Sequence, residues 1–428
     1  MRFQPLPPEF HSANRQQLAA AIGPDAVAII DTADVLRRPG DFEYPFRPDS
    51  NFYYLTGINE PEAVLVLAPG HPNERLREVL FLRETSDFMA LWAGQSLTQK
   101  QGSQQSGISS VMWLSELPQV LHRLLGDFQT VYLNDEPSYE PGPLNPAGRR
   151  AATLRTQLPT HDLRSASPIL GGLRTVKTRV EIDQIRQAVD MTGRGLAKAW
   201  AQLKPGTREY TLEAELTAEF TRRGATGSAF SAIIAAGKNA TVIHYATADT
   251  QVAPDDLVLF DVGAEAGYYA ADISRTVPAS GQFTRRQRAV YEAVYRVQQA
   301  GIALHRPGTT ILEIDTAMRQ LLVTEIEQLG LITAAQAASP EADQHLREYY
   351  AHISHHLGLD VHDTGNPRLK FVPGMVVTCE PGLYLPKEGI GVRLEDIVLI
   401  TKTGHEVLSK AIPSAPAAIE AAIMDARS

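Results

Sequence analysis

The sequence predicts a two-domain protein of the α/β and α+β classes. The first domain is an α/β unit over about residues 1–170, and the second is a larger unit with pseudo-twofold character over 174–428. Three observations predict it. A chain of 428 residues is long enough for two or three buried cores. Its texture changes from short apolar runs to helical periodicity near a turn-rich stretch at Ser165–Gly172. A basic-Pro-Gly-Thr turn between amphipathic helices also occurs twice.

In the first domain, Ala26–Ile30 and Ala63–Ala68 are continuous apolar runs, the pattern of strands buried on both faces. Ser138–Arg150 contains Pro141, Gly142, Pro143 and Pro146 and reads as a loop. In the second domain, Ile182, Ile185, Ala188 and Val189 recur at helical spacing, giving a helix from about Val180 to Leu203. It ends in Lys204-Pro205-Gly206-Thr207, and Leu212, Leu216 and Phe220 mark a second helix that stops near Gly224. The pattern returns a hundred residues later. A helix carrying Val290, Val294 and Val297 ends in Arg306-Pro307-Gly308-Thr309, and another follows with Ile311, Ile314, Met318 and Leu321. If this is a true repeat, each half must supply matching strands, and the chemistry belongs where the halves meet.

Composition excludes several classes. The single cysteine, Cys379, cannot form an internal disulfide. Met1–Gln17 lacks the apolar stretch of a signal peptide, and no run approaches the roughly 20 apolar residues of a membrane span. A formal net charge of −9 without a basic run argues against nucleic acid. GxxxxGK[ST], HExxH and CxxC motifs are all absent. A cytoplasmic enzyme is the expectation.

The chemistry-bearing signal lies in two hairpins. Leu257–Val262 and Tyr268–Val277 flank a turn, and centring it on Ala266-Gly267 places Asp261 directly opposite Asp272. Opposed like charges destabilise a strand pair, and burying them requires protonation or a cation. A register slip or a solvated face are the alternatives. Nearer the C-terminus, Met375–Cys379 and Ile390–Thr401, joined by a loop over Pro386–Gly389, place Glu380 opposite Glu395. Four of 12 histidines (His352, His355, His356 and His362) fall within eleven residues. Alone such a cluster is ordinarily a polar loop, but beside four paired carboxylates it points to metal. One imidazole with four carboxylates is an oxygen-rich site suited to Mn²⁺ or Co²⁺, with Zn²⁺ possible. Two such ions can share a bridging hydroxide, and the expected chemistry is hydrolysis.

In this order, Asp261, Asp272, His355, Glu380 and Glu395 resemble the five ligands of the pita-bread metallopeptidases, a superfamily that includes methionine aminopeptidase, prolidase, aminopeptidase P and the metal-free creatinase. His355-His356-Leu357-Gly358-Leu359-Asp360-Val361-His362-Asp363 is similar to the family's histidine motif. Glu380-Pro381-Gly382-Leu383-Tyr384 and Gly391-Val392-Arg393-Leu394-Glu395-Asp396 are similar to its glutamate motifs. The likeness covers about residues 174–410 and implies a pseudo-twofold pita-bread catalytic domain. Asp41–Gly57 (DFEYPFRPDSNFYYLTG), followed by Asn59-Glu60-Pro61-Glu62-Ala63, resembles the creatinase-like N-terminal domain of aminopeptidase P, which methionine aminopeptidases lack.

The resemblance implies removal of the N-terminal residue from peptides with proline at the second position, by an Xaa-Pro aminopeptidase carrying two divalent ions, with Mn²⁺ the expected metal. A proline-preceding bond offers no N–H to grip, so a site that locates the carbonyl by metal and the ring by shape suits it. Implied roles follow. Asp261, His355 and Glu380 are terminal ligands, and Asp272 and Glu395 bridge both ions. Glu380 also shuttles a proton. His244 and His362 bind substrate, and His362 is able to donate to the developing oxyanion. Arg393 orients a carboxylate or water, while Tyr384 lies near Glu380 or simply packs. Trp92, in Leu91-Trp92-Ala93-Gly94, lines a substrate subsite, sometimes that of a neighbouring subunit in a homo-oligomer (dimer or tetramer). Arg368, in Gly365-Asn366-Pro367-Arg368, meets longer peptides. Ala351 departs from the relatives, which place a proline-pocket histidine there, and His352 is its candidate substitute. Prolidase, acting on dipeptides, and a non-catalytic binding protein on the same fold are the competing readings.

Overall fold

The computed structural model describes residues 5–135, 144–350 and 354–427. Two compact units divide between Leu173 and Arg174.

The first unit is built on a six-stranded sheet. Its strands are β1 (Ala26–Asp31), β2 (Val64–Leu67), β3 (Glu78–Leu82), β4 (Ser110–Trp113), β5 (Thr130–Leu133) and β6 (Asp162–Ser165), in the order β4-β3-β2-β1-β5-β6. β1 pairs parallel with β5 and antiparallel with β2, so the sheet is mixed. The expected apolar runs are its two central strands, buried at every position. Helices here are α1 (Pro8–Ile22), α2 (Ser50–Thr56), α3 (Asp87–Ala93), α4 (Gln99–Ser106), α5 (Leu117–Asp127) and α6 (Pro146–Gln157), with α7 (Ser167–Thr175) closing the unit. Val27, Ile29, Val64, Val66, Val131 and Leu133 form one apolar face, covered by Leu121 and Leu124 of α5 and Leu154 of α6.

Two turn-rich readings need correction. α6 begins at Pro146 inside the stretch read as loop, because Asn145 caps it by accepting from the Gly148 amide (2.7 Å), and proline is tolerated in a first helical turn. Pro141, Gly142 and Pro143 lie outside the described residues. Gly171 and Gly172 sit within α7 rather than in a turn.

The second unit repeats one plan. The first half runs α8 (Arg179–Gln202), α9 (Glu209–Arg222), β7 (Gly227–Ser228), β8 (Ile233–Ala236), β9 (Leu257–Val262), β10 (Ala264–Ala266), β11 (Tyr269–Ala270) and β12 (Ile273–Pro278). The second half runs α10 (Arg285–Leu304), α11 (Ile311–Gln328), α12 (Ala334–Ala337), α13 (Ala342–Leu346), β13 (Val376–Cys379), β14 (Gly382–Leu385), β15 (Ile390–Arg393), β16 (Asp396–Ile400) and β17 (His405–Val407), and α14 (Pro416–Arg427) ends the chain. Each half thus has two long helices, an antiparallel three-stranded sheet (β12-β9-β8 or β13-β16-β17) and a small hairpin, β10/β11 or β14/β15, with the short α12 and α13 added in the second half. The two Pro-Gly-Thr turns even make equivalent bonds. Gly206 N donates to Val252 O (2.8 Å) and Gly308 N to Phe371 O (2.9 Å), while Val252 N and Phe371 N return bonds to Thr207 O and Thr309 O. Both glycines hold the positive φ (93° and 91°) that such a turn demands. Among the described residues, no helix is long and apolar enough to cross a membrane.

Candidate metal centre

The carboxylates lie where long strand pairs split into their small hairpins. In the first half the register differs from expectation: Asp261 faces Ser274, not Asp272. The turn consists of Gly267 and Tyr268, both at positive φ (55° and 68°), the two-residue turn that suits twisted hairpins. Moving a turn by one residue moves every partner by two, so side chains keep their faces. Asp272 therefore remains on Asp261's face, one diagonal step away. Between them the backbones nearly touch: a Cβ on Gly263 would lie 1.8 Å from Ala271 O. In the second half the expected register holds. Cys379 pairs with Asp396 and Gly382 with Arg393, which brackets Glu380 opposite Glu395. The halves meet here, with Glu395 N donating to Ser274 O (3.0 Å) and Arg275 donating to Glu395 O (2.7 Å).

His355 joins from the segment before β13, its backbone tied to Thr378 in both directions. Its Nδ1 lies 3.0 Å from His356 O. Donation to that carbonyl fixes the tautomer that leaves Nε2 as an acceptor, the state a metal ligand needs. Nε2 turns toward Asp272 (3.4 Å), Glu380 (3.4 Å) and Glu395 (3.8 Å). Ligating atoms of Asp272, His355 and Glu395 all lie within 4.8 Å of one another.

Behind these groups Arg393 donates to Asp261 Oδ2 (2.6 Å), Ser274 Oγ (2.9 Å) and the Tyr384 hydroxyl (2.8 Å), and Ser274 donates onward to Glu395 Oε2 (2.9 Å). One oxygen of Asp261 and one of Glu395 are thereby satisfied. The others, Asp261 Oδ1 and Glu395 Oε1, are buried without a hydrogen-bond partner among the described residues. Burial, then the charges of Asp261 and Glu380, push the Asp272 carboxyl well above the usual range. Burial, then Asp272 and Glu380, do the same to Glu395. Orphaned acceptors and mutually repelling carboxyls around an acceptor imidazole fit divalent cations, which satisfy both at once.

Asp261, Asp272, His355, Glu380 and Glu395 line a cavity of about 500 Å³ together with His244, His362 and Arg393. Phe230, Ile233, Ile243 and Val361 supply an apolar wall. The His362 ring lies edge-on to His355, with centroids 4.4 Å apart. One expected substrate contact differs. Tyr384 is buried behind Arg393 and does not line the cavity, because its hydroxyl is spent on that guanidinium. Arg368 is exposed in a loop held by an Asn366 turn and does not line it either. Trp92 is 74% exposed on α3 of the first unit, beside Phe88. His352 lies outside the described residues.

Sequence reasoning missed Ser274 and Thr378. Thr378 accepts from His355 N and donates toward Glu380 Oε1. Each stands two residues from a carboxylate on the same strand face, a period-2 signal that was available.

Comparisons with known proteins agree with this geometry. Residues 183–402 match metallopeptidase family M24, and residues 11–132 match the aminopeptidase P N-terminal domain. The chain is 35% identical over 429 residues to the Xaa-Pro aminopeptidase of Escherichia coli, covering 96% of this chain and 97% of that one. It is 29% identical to Xaa-Pro aminopeptidase 3 of Homo sapiens, covering 91% and 79%. An aminopeptidase P structure from Bacillus anthracis superposes with TM-score 0.92 at 33% identity over 98% of this chain and 99% of that one. E. coli aminopeptidase P in complex with substrate gives 0.91 at 32% over 99% and 100%.

Proposed function

The chain belongs to metallopeptidase family M24 and carries an aminopeptidase P N-terminal domain, and from that premise we propose that it removes the N-terminal residue from peptides whose second residue is proline. Its reaction is metal-dependent hydrolysis of the Xaa-Pro bond. The observation that carries this reading is the cavity floored by four carboxylates and one imidazole, with two carboxylate oxygens buried and unpartnered.

Asp261, Asp272, His355, Glu380 and Glu395, which line the cavity together, would hold the divalent ions. When bound, the ions activate the attacking water and polarise the scissile carbonyl. Arg393 keeps Asp261 oriented. Glu380, the ligand with the more exposed side chain of the two glutamates (14% against 2%), carries a proton toward the leaving proline nitrogen. His244 and His362 at the exposed rim donate to substrate oxygens, and the apolar wall receives side chains. The oxygen-rich donor set favours Mn²⁺, ahead of Co²⁺ and Zn²⁺. We assign the catalytic domain to 174–428 and the preceding one to 1–170. The single cysteine suits the cytoplasm, and exposed Phe88, Leu91 and Trp92 support a homo-oligomer, a dimer or tetramer.

Peptide length supplies the test. With Mn²⁺, an Xaa-Pro-Yaa tripeptide is expected to be cleaved in preference to an Xaa-Pro dipeptide. Preference for the dipeptide would make the enzyme a prolidase.

A further inference from the structure

We infer that Glu209 is a positioning residue for the cavity wall that carries His244, an inference that rests on the aminopeptidase reading for what the wall does. Glu209 is the first residue of α9 and is fully buried. Its Oε1 accepts from Ala236 N (2.7 Å) and Asn239 Nδ2 (3.2 Å). Its Oε2 accepts from the Tyr245 hydroxyl (2.9 Å) and Thr250 N (2.9 Å). These donors lie at the start, middle and end of one segment, 236–250. Within it, Ile243, His244, Tyr245 and Ala246 line the cavity.

Packing holds the ends of the segment, where Ala236, Ala240 and Ala248 are buried, and Tyr245 packs against the cluster of Ala240, Ile233 and Leu259. Between them Val242, Ile243, His244 and Ala246 are exposed, so packing fixes little of the stretch that carries His244. Ala248 is held at φ 48°, a left-handed conformation that alanine keeps only under outside constraint. The neighbouring bonds serve the same end: Glu209 N donates to Thr250 O (3.1 Å), Arg208 Nη1 to Asp249 O (2.9 Å), and Asn239 Nδ2 to Thr250 Oγ1 (2.8 Å). A carboxylate is purely an acceptor and satisfies all four donors. An amide in its place turns an N–H₂ against two of them.

Glu209→Gln in the Mn²⁺-loaded full chain tests this, with Thr250 N as the donor least able to adapt. Amide hydrogen exchange across 240–250 is expected to accelerate about ten-fold, the scale of two lost hydrogen bonds, with 257–278 and 376–400 unchanged. kcat/KM on Xaa-Pro-Yaa is expected to fall about ten-fold, and by less than about two-fold when His244 is already alanine, because coupled positions are non-additive. Unchanged exchange in 240–250, or an equal loss in the His244→Ala background, would overturn the proposal. The exchange arm decides for Glu209 even if the wild type cleaves no Xaa-Pro peptide, a result that would instead overturn the activity. Should Glu209→Gln fail to fold, Asn239→Ala removes one donor, and about three-fold faster exchange is expected over the same segment.

Discussion

Arg393 and Ser274 take one oxygen each from Asp261 and Glu395 and leave the other facing the cavity. That division explains how Asp261 and Glu395 can be buried and still keep an oxygen open to a cation. Asp272 and Glu395 have folded-state pKa values raised above the ordinary carboxylate range. A raised carboxyl contributes stability that is present below its unfolded pKa and is lost as pH rises through the folded value. For these two groups the metal-free protein therefore becomes less stable from acid toward neutral pH, and metal must displace their protons to bind. The increase in Tm on adding Mn²⁺ to metal-free protein is accordingly expected to be larger at pH 8 than at pH 5. An equal increase at both would show that these carboxyls are already ionised without metal. Residue identity was the most legible layer of the sequence: Asp261, Asp272, His355, Glu380 and Glu395 all line one cavity. Tyr384 misled as a substrate contact because adjacency to a motif says nothing of which way a side chain is spent. Tyr384 serves Arg393 from behind, and Arg368 sits on an exposed loop.

Among the elements, the hairpins decide the site, and their turns decide the hairpins. The second hairpin was legible because Cys379–Asp396 and Gly382–Arg393 continue one register across the loop. The first was misread by one turn residue, since Tyr268 takes a positive φ that its residue type does not advertise. The error cost little, because a one-residue shift of the turn preserves faces. Gly263 is the element's weak point, with no room for a methyl group against Ala271 O. Gly263→Ala is expected to destabilise the protein by about 3 kcal/mol and to reduce bound metal, as strand backbones forced apart separate Asp261 from Asp272. Denaturant unfolding with metal analysis checks it, and wild-type values for both would show that the close approach is dispensable. Helix positions in the repeat were read almost to the residue because amphipathic spacing survives in single sequences. α6 and α7 were hidden by prolines and glycines that cap or interrupt rather than forbid helices.

For the whole molecule, duplication is the organising fact. Two halves with equivalent Pro-Gly-Thr turns each deliver carboxylates from a splitting strand pair, and His355 comes from the second half alone. The formal charge of −9 partly counts this convergence, four acidic side chains gathered where two half-domains abut. The doubling of carboxylates also predicts the doubling of ions. Titrating Mn²⁺ into metal-free protein while following cleavage of an Xaa-Pro-Yaa tripeptide tests this most directly. Activity is expected to rise from near zero and to saturate with two ions bound per chain. Full activity without metal, or none with both ions bound, would contradict the account.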